Sequence, residues 1–406
     1  MKKFLLFVLF VSTASFVFAQ MNTGTVTSDG VGNSDAIIQV GYMNNSDVIQ
    51  NGEMNPLGGE FNAAVVNQYG WFNDSQIGQY GDRNYAEVLQ IGSANSSTQT
   101  QGVGWAEDNY AYADQFGTSN TSVQSQYYDN NTAEVYQDGW GNTALQLQKT
   151  MTNGAMGNYA LAMQDDEGNF SDQKQFGKRN EAYVFQAEFY NYAEQTQTGN
   201  RNLATIYQND LSLGGFNYAS QTQTGNRNEA EIDQGLFYAL GNSAVQEQIG
   251  NRNYAYAIQA GEFNSSYQYQ EGNKNISVTG QFGDENVSGT WQYGKKNEAY
   301  TNQLGDWNLS GIVQDGKRNF ADTYQEGIGN ASGVGQLGND NVAYTTQFGL
   351  GNGSLIGQVG FENYAEVNQM GAVNLSAVGQ FGTGHSQVTT QTGIGNVSGV
   401  LQFDLP

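Results

Sequence analysis

The chain has 406 residues, no cysteine, 53 glycines, 2 prolines and only 13% charged residues. A net charge of −24 argues against a general phosphate-binding surface and against a nucleic-acid partner. Without thiols there are no disulfides or thiolate metal sites, and 25 Tyr with 21 Phe set the chain apart from an ordinary disordered tail.

The first segment, MKKFLLFVLFVSTASFVFAQ, places Lys2 and Lys3 before an apolar run that ends in Val17-Phe18-Ala19. It reads as a secretory signal over 1–19, cut before Gln20. The run is short for a membrane span and no second one follows, so no span is expected after signal removal. Residues 20–32 form a short N-terminal segment with one degenerate repeat starting at Asn22 (Gly24, Val26, Ser28, Gly30).

From 33 to 402 the chain repeats one 11-residue frame, N-x-[AS]-x-x-x-Q-x-G-x-x, with positions numbered here from 0 to 10. It fits 32 units. Position 6 is Gln in all of them, and position 0 is Asn in 31, with His385 the exception. Position 2 is Ala or Ser in 30, with Asp35 and Gln387 the exceptions. Extra residues enter at 51–61, 102–108, 149–157, 209–216 and 235–241, always after the Gln. That segment is therefore expected to be a surface turn, since turns tolerate insertion and strands do not. Residues 403–406 form a C-terminal tail.

Position 4 sets a longer period. Gln99, Gln124, Gln146, Gln173, Gln195, Gln221, Gln246 and Gln268 occupy it in successive even-numbered units, with Ala, Val or Ile in the odd units between. Two distinguishable strands thus make one 22-residue repeat. A helix is a poor fit, because a Gly in most units would destabilise it. In a strand, positions 0, 2, 4 and 6 share one face, and the invariant face must be the buried one.

The fold expected is all-β: a parallel, in-register β-solenoid of cross-β type, with about 16 two-strand coils of 22 residues. Its rod would be roughly 75 Å long. Like residues stack at about 4.8 Å, so buried amides are expected to bond the same amide above and below. The expected ladder includes Asn191, Gln197, Asn202, Gln208, Asn242, Gln248, Asn253, Gln259, Asn286, Gln292, Asn341 and Gln347. The position-4 glutamines form a second ladder. Arg179, Arg201, Arg227, Arg252, Lys274, Lys296 and Arg318 fall in turns after even units and define a basic edge. Turns after odd units are more acidic and aromatic, as in Asp284-Glu285 and Asp306-Trp307.

Stretches such as QFGKRNEAYVFQ (175–186) and QTGNRNLATIYQ (197–208) resemble the curlin repeat. Curlins are secreted subunits of curli, the functional amyloid fibres of bacterial biofilm matrix. The resemblance implies an extracellular, self-assembling fibre subunit that works in adhesion. It also implies a nucleator subunit and an outer-membrane export pore as partners. Two rival readings are a non-polymerising β-solenoid adhesin and a curli nucleator. An enzyme is not expected, since acidic residues scatter over variable positions and the lone His385 replaces a ladder Asn. No cofactor is expected.

Overall fold

A computed structural model describes residues 21–51, 59–150, 156–208, 214–235 and 238–404. The expected signal over 1–19 lies outside them, as do parts of four of the insertions. Every described regular element is a β-strand, and every pairing is parallel and in register, apart from shifts where Ser96–Glu107 carries an insertion. Even and odd units build separate sheets. Sheet I holds 17 strands, from Thr23–Ser28 to Val397–Phe403. Sheet II runs from Ser34–Tyr42 to Ser386–Ile394. The chain alternates between the sheets, so each coil is one strand of each, and about 16 coils stack into the expected solenoid.

The inward face follows the frame. Along Tyr192–Asn200 the even positions Ala193, Gln195 and Gln197 are fully buried, while the residues between them are partly open. Alanine at position 2 lets the sheets approach, and β-branched residues at position 4 fill the space across the coil. Val184, Ala193, Ile206, Ala219 and Ile232 form one such buried cluster. Outside, rings stack in rows: Phe170 on Tyr192 at 4.8 Å and Tyr192 on Tyr218 at 5.4 Å between ring centroids.

Strands are longer than the frame suggested. Many span nine residues, through the conserved Gly and one residue beyond, as in Tyr218–Asn226. Gly225 carries φ of 120° and still pairs with Gly250 in the next coil. Only glycine reaches that conformation cheaply. A Cβ there would also lie 1.9 Å from the carbonyl oxygen of Gly250. The turn proper is confined to position 10, which is left-handed even when occupied by Arg, Lys, Phe or Trp: Arg227 has φ of 58° and Trp307 of 59°. Sequence reasoning missed this. Its signal was the glycine that takes position 10 in several units, including Gly141, Gly329 and Gly351.

Candidate functional site

With repeats this uniform, the candidate site is the stack itself: its amide ladders, its cationic edge and its ends. The position-6 glutamines form two continuous ladders, one per sheet. Gln197 Nε2 donates to Gln223 Oε1 at 2.9 Å, and Gln223 to Gln248 at 2.9 Å. In sheet II, Gln208 donates to Gln234 at 3.0 Å, and Gln234 to Gln259 at 2.8 Å. Gln292 and Gln347 continue the same rows. Each amide also donates across the coil, as Gln197 does to the Glu181 carbonyl at 2.9 Å. Both N–H groups are thereby satisfied inside a buried layer, where an unpaired polar group would be costly.

The asparagine rows are built differently. Asn191 Oδ1 accepts the backbone N–H of Asn217 at 3.1 Å, and Asn202 Oδ1 that of Asn228 at 3.0 Å. Asn202 Nδ2 donates to the carbonyl of Gly225 at 3.0 Å. Asn242, Asn253, Asn286 and Asn341 repeat this scheme. The Asn rows are thus largely side chain to backbone, rather than the pure amide-to-amide ladder read from the sequence. The reason is reach: the shorter side chain sits beside the turn, where the glycine carbonyl of the next coil is nearest. Amide-to-amide bonds are added in some coils, as from Asn341 to Asn319 at 3.1 Å.

The position-4 glutamines come together in sheet I as one run. Gln99 donates to Gln124 at 2.8 Å, Gln124 to Gln146 at 3.0 Å, Gln146 to Gln173 at 2.8 Å and Gln173 to Gln195 at 3.0 Å. Gln195, Gln221 and Gln246 carry the row on to Gln268. It ends where Gln268 Nε2 meets Thr279 Oγ1 of sheet II at 3.2 Å, and its first carbonyl, Gln99 Oε1, has no hydrogen-bond partner among the described residues.

The cations Arg179, Arg201, Arg227, Arg252, Lys274, Lys296 and Arg318 all occupy position 10 with positive φ. They therefore stack along one edge at the coil spacing, about 4.8 Å. Arg318 pairs with Asp340, and Arg83 further down the edge pairs with Glu107 and Asp108. Hydrogen bonds donated to these carboxylates raise the Arg83 guanidinium above its ordinary value. From Arg201 to Lys296 no acidic partner lies within ion-pair distance among the described residues. There the cations flank an exposed amide row, Asn200 to Asn226 to Asn251 to Asn273, in a groove of about 750 Å³. The other edge is acidic only in short runs, such as Glu262, Asp284 and Asp306.

Outward carboxylates lie between aromatic rows. Burial raises Asp114, Glu231 and Asp322 above the usual carboxylate range. Burial and the neighbouring Glu87 push Tyr85 up to about 12. Among the described residues no group of three His, Cys, Asp or Glu side chains could hold a metal. No described helix is long and apolar enough to cross a membrane.

Departures at positions 0 and 2 of the frame collect at the ends. Asp35 and the degenerate strand Thr23–Ser28 lie at one end, and His385 and Gln387 at the other. At the C-terminal end, among the described residues, Ser386–Ile394 pairs only with Tyr364–Ala372, and Val397–Phe403 only with Leu375–Thr383. Each leaves one strand edge open.

The fold and these rows define a class: a parallel β-solenoid stacked through buried amide ladders, with open strand edges at its ends. Within it, residues 316–349 match the family model described as Curlin associated repeat. The curlin-repeat resemblance read from the sequence is thus shown on that segment, whose frame is the one repeated from 33 to 402. No curated protein matches the chain.

Proposed function

We propose that the chain is a secreted structural subunit that self-assembles into extracellular curli-type amyloid fibres of the biofilm matrix, where they serve adhesion. In this reading residues 1–19 direct export from the cytoplasm. An outer-membrane curli-type pore passes the chain to the surface, and a nucleator subunit starts growth. The observation that carries the proposal is the pair of open ends. The last strand of each sheet has a full row of backbone donors and acceptors on its free side, and such an edge templates another chain. The ladders run out in the same sense: Gln391 and Gln402 accept from Gln369 and Gln380, and among the described residues no further glutamine receives their own Nε2–H. A second copy supplies that acceptor. Curlin repeats in this fold support the reading further.

The test is assembly of purified residues 20–406, followed by thioflavin T fluorescence, electron microscopy and fibre diffraction. Unbranched fibres with a meridional reflection near 4.8 Å are expected. A chain that stays monomeric and dye-silent at high concentration for days is instead an adhesin of fixed length.

A further inference from the structure

The two ends of the chain do not fit each other as folded, and the misfit lies in one strand. Resting on the assembly reading above, we propose that Thr23–Ser28 is a removable cap, and that Val397–Phe403 of a second copy displaces it from Asn45–Gln50.

The units from 33 to 402 number 32, so they start in sheet II and finish in sheet I. Copies joined head to tail then continue both sheets without a gap. Ser386–Ile394 would seat on the next copy's Ser34–Tyr42, and Val397–Phe403 on its Asn45–Gln50. The place on Asn45–Gln50 is already taken by Thr23–Ser28, which pairs with it from Thr23 opposite Asn45 to Ser28 opposite Gln50. If that strand stayed, one strand position of sheet II would be empty at every junction. Two strand edges would then lose all their backbone partners there.

The resident strand is also a weak substitute. It keeps the Asn of the frame, since Asn22 Oδ1 accepts the Asn44 N–H at 3.0 Å. It lacks the rest. Gly24 stands where Ala or Ser packs, and Ser28 stands where every full unit has Gln. Ser28 Oγ reaches Gln50 Oε1 at 3.3 Å, whereas Gln50 itself donates to Gln79 at 3.0 Å. Ser28 has a single O–H, and so no second donor with which to cross the coil as ladder glutamines do. The incoming strand offers Asn396 for Asn22, Ser398 for Gly24 and Gln402 for Ser28. It restores the full frame, so exchange exchanges a poor match for a good one. Release has a hinge in Gly30 and Gly32, at φ of 123° and 72°. Until a partner arrives, the cap covers one of the two N-terminal strand edges and keeps lone chains from joining indiscriminately.

The test locks the cap. Thr25 and Asp47 are register partners on neighbouring strands, and the chain has no other thiol. The pair Thr25→Cys with Asp47→Cys, oxidised, ties the cap to its seat. Elongation on wild-type seeds is expected to fall at least tenfold when oxidised and to recover with reductant. Locked chains added in small amounts should stop wild-type growth at the N-terminal fibre end, because each can add its C-terminal end there but offers no N-terminal seat, while the C-terminal fibre end grows on. Deleting residues 20–32 should speed elongation several-fold. Oxidised chains that elongate as fast as reduced ones, or a deletion that slows growth, overturn the cap. A wild-type chain that forms no fibres overturns the assembly reading itself, and the cap with it.

Discussion

Gln195 Nε2 donates to Gln221 Oε1 one coil on, at 2.9 Å, and to the Tyr183 carbonyl across the coil, at 3.0 Å. One buried amide thus ties neighbouring coils and opposite sheets at once. Replacing it leaves the Gln173 amide and the Gln221 carbonyl without their partner. Gln195→Ala should cost about 2–4 kcal/mol, since each orphaned buried group costs roughly 1–3 kcal/mol. Hydrogen exchange read by mass spectrometry should show lost protection in the coils around 173–221. Gln402→Ala, which leaves the Gln380 amide N–H without its acceptor at an open end and frees only the exposed Ser386 carbonyl, should cost far less in a lone chain. Equal protection losses in the two variants would contradict this account.

Glycine at position 8 is fixed by the carbonyl of the next coil. A Cβ on Gly225 meets the Gly250 oxygen at 1.9 Å, and that atom is backbone. Gly225→Ala should therefore separate two coils locally and cost about 3 kcal/mol or more, through strain at a special φ. Gly311 faces outward with nothing within 4 Å, so Gly311→Ala should be neutral or stabilise by about 0.5–1 kcal/mol. Denaturation midpoints of the two variants decide the matter.

Acid should stabilise the stack. Asp114, Glu231 and Asp322 are raised by burial, so the folded chain holds those protons more tightly than the unfolded chain. Their stability contribution is complete below the ordinary carboxylate value and is lost as pH rises through the folded values. Asp340 and Glu366 act in the opposite sense, lowered by hydrogen bonds from Arg318 and Tyr364, but both sit near solvent and count for less. Urea midpoints should rise as pH falls from about 7 towards the ordinary carboxylate range of about 4.

Alkali should undo it. Tyr85, Tyr183 and Tyr256 are each pushed up to about 12, chiefly by burial. The unfolded chain therefore loses its phenol protons first, and stability falls as pH rises from about 10 towards 12. Midpoints that fall on acidification, or hold steady through this alkaline range, would refute the electrostatic account.

His385 breaks the asparagine row in the last strand of sheet II. Its backbone N–H still donates to Asn363 Oδ1 at 3.1 Å, but its imidazole offers no amide oxygen to a coil seated above it. His385→Asn should restore that acceptor and raise the elongation rate several-fold on wild-type seeds. Unchanged or slower growth would show that this row does not reach across the junction.

The sequence by itself determined the period, the two alternating strands, the inward face and the sites of insertion. Each is local: a repeated residue must occupy a repeated environment, and strand geometry assigns alternate residues to opposite faces. It could also say that Gln195 and Gln197 are buried, because an invariant amide in a variable frame needs a fixed partner. The tertiary structure alone decided where each amide proton goes. Asn202 turns to the Gly225 carbonyl, while Gln197 spans to Gln223 and back to Glu181, and these choices depend on side-chain reach across a coil whose width no spacing encodes. The same holds for the turn. Gly225 stays within a strand and Arg227 carries the left-handed residue, because stacking in register holds each turn in the conformation of the coils above and below it.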